Sequence, residues 1–420
     1  MTVRRQFTHM TDPAEPVPEP ISARRQRQAL AVPFLSLGFR PFFLFAGIWA
    51  ALGLPLSILL IEGFVPSSGP IDVIAWHRHE MLFGFFAATI TGFILTAIPN
   101  WTGRLPVSGM PLLCLALLWV AGRIAVSSVA LLGLTTVAVV DIAFLFAVVI
   151  LVLREIAAGK NWRNLPIALA ICLLVIANAL QHAEIAGLVT NDAIAGGIGT
   201  RLAIATIVLL IALVGGRIVP SFTRNWIAKN NAGPMPAGFT GTDKATLVLT
   251  VLALALWIAL PETFLTGIGA ALAAIANLIR LIRWRGHATL GEPIVWVLHL
   301  GYLWLVVGFG LIAVSALTQA LAMTAAVHGL TVGAIGTMAL AVMSRATLGH
   351  TGRALKAGPL LTIAYLLVSC AAIARILSAV SEQAGSLLLH GAAGCWSLAF
   401  LLFVIVCGPM LLGCNTAEAD

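Results

Sequence analysis

The sequence is poor in charge. Asp, Glu, Lys and Arg make up 10% of its 420 residues, against 60% hydrophobic. A soluble chain is about a quarter charged, so a water-soluble globular fold is excluded. None of the six cysteines (Cys114, Cys172, Cys370, Cys395, Cys407, Cys414) stands in a CxxC or CxxCH motif. That absence rules out covalent c-type haem and argues against a cysteine zinc site. Scattered through apolar runs, the thiols read as small buried hydrophobes. Residues 1–36 lack an apolar core and are rich in Pro, Arg and Gln, which excludes a signal peptide and reads as a disordered cytoplasmic tail.

What the chain has in abundance is apolar runs close to the roughly 20 residues that cross ~30 Å of hydrocarbon. Twelve are expected, at about 40–61, 75–98, 109–129, 132–153, 165–187, 198–219, 245–260, 264–282, 293–318, 325–343, 358–378 and 385–412. The predicted fold is all-α and polytopic: a twelve-helix transmembrane domain over residues 37–413, then a short cytoplasmic tail over 414–420. With these boundaries, Arg78, Arg123, Arg201 and Arg375 fall on one side of the membrane, and all other Lys and Arg on the side of the chain ends. The positive-inside rule then places both termini in the cytoplasm. The net charge of +8 reports topology and anionic lipid rather than nucleic acid.

A repeat runs through the helices. The segment from His79 to Arg104 lies on that from His328 to Arg353 without a gap: Gly84 falls on Gly333, Ala97 on Ala346, and Thr102-Gly103-Arg104 on Thr351-Gly352-Arg353. Ile218-Val219-Pro220-Ser221-Phe222-Thr223 echoes Ile98-Pro99-Asn100-Trp101-Thr102. The pattern predicts three four-helix units, with helices 2, 6 and 10 equivalent.

Seven of the nine histidines lie in or beside apolar stretches. An ionisable residue costs roughly 3 kcal/mol or more at the bilayer centre, and imidazole is the usual protein ligand for haem iron, copper and zinc. The histidines therefore point to metal, and without CxxCH the haem they predict is noncovalent b-type. His77, His79, His182, His328 and His390 come from four helices at one depth near the outer face. His77 and His79 are two apart and so point about 200° from each other on a regular helix. They suit one helix wedged between two sites; the alternative is that both cap the helix in headgroup water. Glu80 could relay protons or orient a ligand. Arg78, Arg201 and Arg375 lie around the layer, ready to pair with haem propionates or to anchor on lipid phosphate. His299, with Tyr302 one turn on, reads as a second inner polar site or a satisfied buried histidine. His350 falls in a cytoplasmic loop, and Asp141 and Arg123 are expected to form a structural pair.

Several strings are similar to the NnrS family: Leu37-Gly38-Phe39-Arg40-Pro41-Phe42-Phe43, His79-Glu80-Met81-Leu82-Phe83-Gly84-Phe85, Pro99-Asn100-Trp101-Thr102-Gly103-Arg104, and the run from Thr331 to Arg353. The resemblance spans roughly residues 33–412. It implies a twelve-helix protein of the bacterial inner membrane that contains haem and copper and is linked to nitric oxide stress and denitrification. A more distant likeness is to haem-copper oxidases and nitric oxide reductases, in which helices 2 and 10 share the axial histidines of a low-spin haem. That likeness implies His79 and His328 as opposite ligands of one haem. A second site would form from His77 with His182 and His390. Helices 6 and 7 here lack the histidines that hold copper in those enzymes, so a second metal would use His77, His182, His390 or His299.

The leading functional expectation is a haem oxidoreductase, with two haems b and copper as a further candidate, that reduces or scavenges nitric oxide. Electrons would come from quinol or a cytochrome. Two NO, two electrons and two protons would give nitrous oxide and water, with Glu80 and Glu184 delivering protons. A non-catalytic haem or copper sensor or metal-delivery protein is the second expectation, and a twelve-helix transporter the third. A transporter would set polar residues at the midplane on broken helices, whereas these histidines gather near one surface.

Overall fold

The computed structural model describes residues 32–66, 69–189, 196–381 and 383–413. Of the two expected tails, residues 1–31 and 414–420 lie outside the described residues, and Pro33–Leu35 form a 3-10 turn. Twelve helices are long and apolar enough to cross a membrane, and no strand occurs among the described residues. They are α1 Phe39–Ile61, α2 Val73–Thr102, α3 Met110–Ser127, α4 Leu134–Ala158, α5 Trp162–Ile185, α6 Gly197–Asn230, α7 Gly241–Ala259, α8 Phe264–Ile282, α9 Pro293–Thr318, α10 Met323–His350, α11 Pro359–Ser378 and α12 Gly385–Leu412. In lipid every backbone N–H and C=O needs an internal partner, and a helix supplies it within one segment. The chain is a multi-pass membrane protein. With an even number of spans, α1 begins and α12 ends on one face, here the near face; α2, α4, α6, α8, α10 and α12 begin on the far face.

Some boundaries differ from expectation. α7 starts at Gly241 because Thr240 and Asp243 form a capping box, each side chain satisfying the other's backbone N–H. α2, α6 and α10 all run beyond their expected ends. His350 is thus the last residue of α10 rather than a loop residue, and its ring packs 5.5 Å from that of Phe39.

α2, α6 and α10 form the centre. Of their most apolar stretches 83%, 67% and 72% is buried, against 33 to 61% for the other nine helices. Each contains one stretch of wide π-type turn: Glu80–Phe86 in α2, Ile211–Gly215 in α6 and Gly329–Gly336 in α10. In α2 and α10 the wide turns share the register that lays His79 on His328. Gly84 and Gly333, matched in the same register, are both points of close approach. A Cβ at Gly84 would lie 2.7 Å from Trp49 Nε1, and one at Gly333 would lie 2.6 Å from the Trp304 ring. Gly103 and Gly352 both take positive φ, 68° and 73°. The first and third units are therefore related in structure as well as in sequence. In α6 the wide turn sits closer to Pro220 than that of α2 does to Pro99, so the middle unit is the divergent one.

The ring closes where α12 packs along α1. Trp396 Nε1 donates to Ala50 O at 3.0 Å, and Arg40 Nη1 donates to Met410 O at 2.8 Å. Phe42, Phe43, Phe85, Phe400 and Phe403 are buried around this seam. Large rings there bury much apolar area and pack α1 and α12 against the middle of α2, Phe43 on Gly92 and Phe400 on Phe85.

Candidate functional site

Two sites lie towards the far face, one on each side of α2. The first is a buried polar cluster. Asp141 on α4 is its hub: Oδ2 accepts from Asn178 Nδ2 at 2.7 Å, His79 Nε2 at 3.0 Å and His182 Nε2 at 3.1 Å. Asp141 Oδ1 accepts from Arg123 Nη2, the pair expected from sequence. Arg123 Nη1 also donates to Glu80 Oε1 at 2.9 Å, and Glu80 Oε1 lies 3.2 Å from His79 Nδ1. All six residues are buried, Glu80 completely. Burying a lone charge is costly unless it is paired and hydrogen-bonded, which explains the density of partners. Both ring nitrogens of His79 face carboxylate oxygens. As an imidazolium it would join Arg123 in balancing Glu80 and Asp141.

The same atoms fit a metal ion. One ligand atom each from His79, Asp141 and His182 lies within 4.8 Å of the others. Two imidazoles and a carboxylate form a donor set suited to copper, zinc or ferrous iron. A cation on the two Nε2 atoms would replace their protons and leave His79 Nδ1–H to donate to Glu80, the carboxylate–histidine–metal arrangement that orients such ligands. Asn178 Oδ1 is buried without a hydrogen-bond partner, so the cluster still has an unused polar atom.

The second site is a cavity of about 490 Å³ among α1, α2, α6, α10, α11 and α12, in the ~300–1,000 Å³ range of ligand pockets. Its walls are mostly apolar, with Met81, Phe85, Phe86 and Trp396 among them, and its imidazoles are His77 and His328. Both rings are held by Nδ1. The Ser57 hydroxyl donates to Gly53 O at 2.7 Å, so its oxygen accepts from His77 Nδ1–H at 3.1 Å. His328 Nδ1–H donates to Thr324 O at 2.6 Å. Each ring therefore keeps Nε2 as an unprotonated lone pair, the form in which histidine ligates metal. Arg78 and Arg375 also line the cavity, and Arg375 Nη1 donates to Ser378 Oγ at 3.0 Å.

The structure groups the expected residues differently. His79 sits with His182 and does not line the cavity, whereas His328 shares the cavity with His77. Sequence separation on α2 is the reason: His77 and His79 precede the wide turn, so they point apart as on a regular helix. His390 joins neither site. It is exposed and pairs with Glu62, Nε2 to Oε1 at 2.7 Å, because Leu389, Ala392, Ala393 and Trp396 occupy the α12 face that lines the cavity. Arg201 is buried away from the cavity, and its Nε donates to Ile258 O at 3.1 Å. Glu184 accepts from Gly199 N at 3.0 Å and lies close enough to Arg78 to interact with its charge.

His299 does not partner Tyr302. Its Nε2 lies 2.7 Å from Thr223 Oγ1, while Tyr302 Oη donates to Asn277 Oδ1 at 2.6 Å. Tyr302 belongs to a second buried network that sequence reasoning missed. Arg280 reaches it from α8, donating to Asp243 Oδ1 at 2.9 Å, Tyr302 Oη at 3.1 Å and Ala212 O in the wide turn of α6 at 2.8 Å. The signal available was an Arg, an Asp and an Asn within two short apolar helices, each unlikely to be there unpaired.

Twelve membrane helices with an imidazole–carboxylate cluster and an imidazole-lined cavity near one face define a class: polytopic membrane proteins with candidate cofactor sites inside the helix bundle. A family model described as NnrS protein matches residues 33–414. The chain belongs to the NnrS family, and membership suggests a nitric-oxide-related haem and copper membrane protein. No curated protein matches the chain.

Proposed function

We propose that the protein is a haem oxidoreductase of the bacterial inner membrane that reduces or scavenges nitric oxide, with both termini in the cytoplasm. The observation that carries this reading is the pair of Nε2 lone pairs, on His77 and His328, lining one apolar cavity. Haem b fits that cavity: imidazoles to hold the iron, apolar walls for the macrocycle, and Arg78 and Arg375 for the propionates. When bound, the haem supplies an iron centre that coordinates nitric oxide and passes on electrons, drawn from quinol or a cytochrome.

The chain's own residues do the remaining work. Ser57 and the Thr324 carbonyl hold the two rings with Nε2 unprotonated. The apolar walls exclude water. Glu184, near enough to Arg78 of the cavity wall to interact with its charge, is the carboxylate that would deliver protons. The net change is two NO, two electrons and two protons to nitrous oxide and water. His79, Asp141 and His182 are the residues that would hold copper, the second metal of the family, and Glu80 would orient His79 there.

An absorption spectrum of the purified protein tests this reading. A Soret band is expected, altered or lost in His77→Ala and His328→Ala and unchanged in His390→Ala. A band indifferent to both cavity histidines, or no band in protein grown with haem, overturns it.

A further inference from the structure

Next to the large cavity lies a smaller, partly open one of about 70 Å³, lined by the three central helices. Phe86 and Ile90 of α2, Ile211 and Gly215 of α6, and Ile335 and Met338 of α10 are among its walls. We infer that this space binds a small, nearly apolar gas molecule such as nitric oxide, taken from the bilayer and passed into the large cavity across Phe86 and Ile335. The last step rests on the haem reading above; the binding itself does not.

Three observations carry the inference. First, the walls are apolar except for Thr89, whose hydroxyl already donates to Phe85 O at 3.1 Å. A buried water needs ~10–15 Å³ of accessible space and 2–4 polar partners; here the room is ample and the partners are missing. Dry apolar cavities take up xenon and similar apolar guests, and a diatomic gas has the same requirements. Second, Phe86 and Ile335 belong to the walls of both cavities, so the two spaces adjoin. Third, the wide turns of all three central helices meet at this point. Phe86 ends that of α2, Ile335 lies in that of α10, and Ile211 and Gly215 bound that of α6. Such turns are rare and recur at functional sites. Nonpolar gases dissolve better in hydrocarbon than in water, so the membrane interior is the richer source.

The test is xenon pressurisation of crystals of the full protein, with the gas located by anomalous scattering. Xenon is expected between Phe86, Gly215 and Met338. It should be lost in Gly215→Leu, where an added Cβ meets nothing nearer than 3.8 Å, and in Ala339→Phe on a different helix. Phe93→Ala, which enlarges the space, should raise occupancy. No xenon in the unmodified protein, xenon that survives both filling variants, or a detergent or acyl chain in its place overturns the site. In haem-loaded protein the filling variants should slow bimolecular carbon monoxide rebinding after photolysis several-fold. Unchanged rebinding with xenon bound overturns the transfer step. Xenon bound in protein that lacks a Soret band overturns the haem reading and leaves the gas site standing.

Discussion

The Ser57 hydroxyl lies 3.1 Å from His77 Nδ1 and gives its own hydrogen to Gly53 O, one turn back on α1. The oxygen can then only accept, and the ring is held with Nδ1 protonated and Nε2 bare. Ser57→Ala should leave the fold intact but free the ring to rotate and change tautomer. Loss of such an orienting partner typically costs 10–100-fold in metal affinity or activity. Titration of the apoprotein with haem is the measurement. An affinity equal to that of the unmodified protein would show that His77 is not held through Ser57.

Asp141→Ala removes the hub that accepts from His79, His182, Asn178 and Arg123. Breaking a buried charge pair by deleting one partner costs about 3–5 kcal/mol, so a large drop in thermal stability is expected. Asp141→Asn keeps the shape and removes the charge, and should fall between. Bound copper, measured by mass spectrometry of purified protein, should disappear in both.

His182→Ala separates the two sites. Copper should be lost with the cluster, while the Soret band, which depends on His77 and His328, stays. Loss of the Soret band together with copper would mean that the cluster and the cavity are one centre.

Gly84→Ala should be destabilising. The new Cβ would lie 2.7 Å from Trp49 Nε1, 2.8 Å from Glu80 Oε2 and 2.9 Å from Arg123 Nη1, so the Glu80–Arg123 pair must shift. Overpacking of this kind costs about 1–3 kcal/mol. Gly391→Ala, with nothing within 4 Å, is the control and should be neutral by the same melting measurement.

The twelve spans were legible because lipid leaves a helix no alternative, and a helix this apolar can be read almost without neighbours. The Arg123–Asp141 pair was legible too, since two opposite charges at one depth in hydrocarbon have strong reason to meet. The repeat named the equivalent residues His79 and His328 correctly but not what they face. Equivalence in a duplicated chain fixes depth and phase within each unit, while the neighbour across the helix differs: His79 looks towards α4 and α5, His328 towards the cavity. His390 shows the same limit on a smaller scale, a single residue out of phase with Leu389. Ser57 carried no signal, because a serine that bonds back to its own helix is ordinary in membrane spans. The wide turns were invisible as well: their residues, Glu80-Met81-Leu82-Phe83-Gly84-Phe85-Phe86 for one, differ in no obvious way from α-helical sequence.

A wide turn is what a single inserted residue leaves behind in a helix that cannot change its ends. Finding it in the same register in α2 and α10 is the pattern produced when the insertion comes first and gene duplication afterwards; the ancestral unit already had the defect. Deleting one residue between Met81 and Phe86 would heal α2 into a regular helix and turn its far-face end by about 100° against the rest. His77 would swing away from its cavity and His79 from Asp141 in a single stroke. The two histidine sites are thus set by one shared dial, and a change that retunes either must pass through the other.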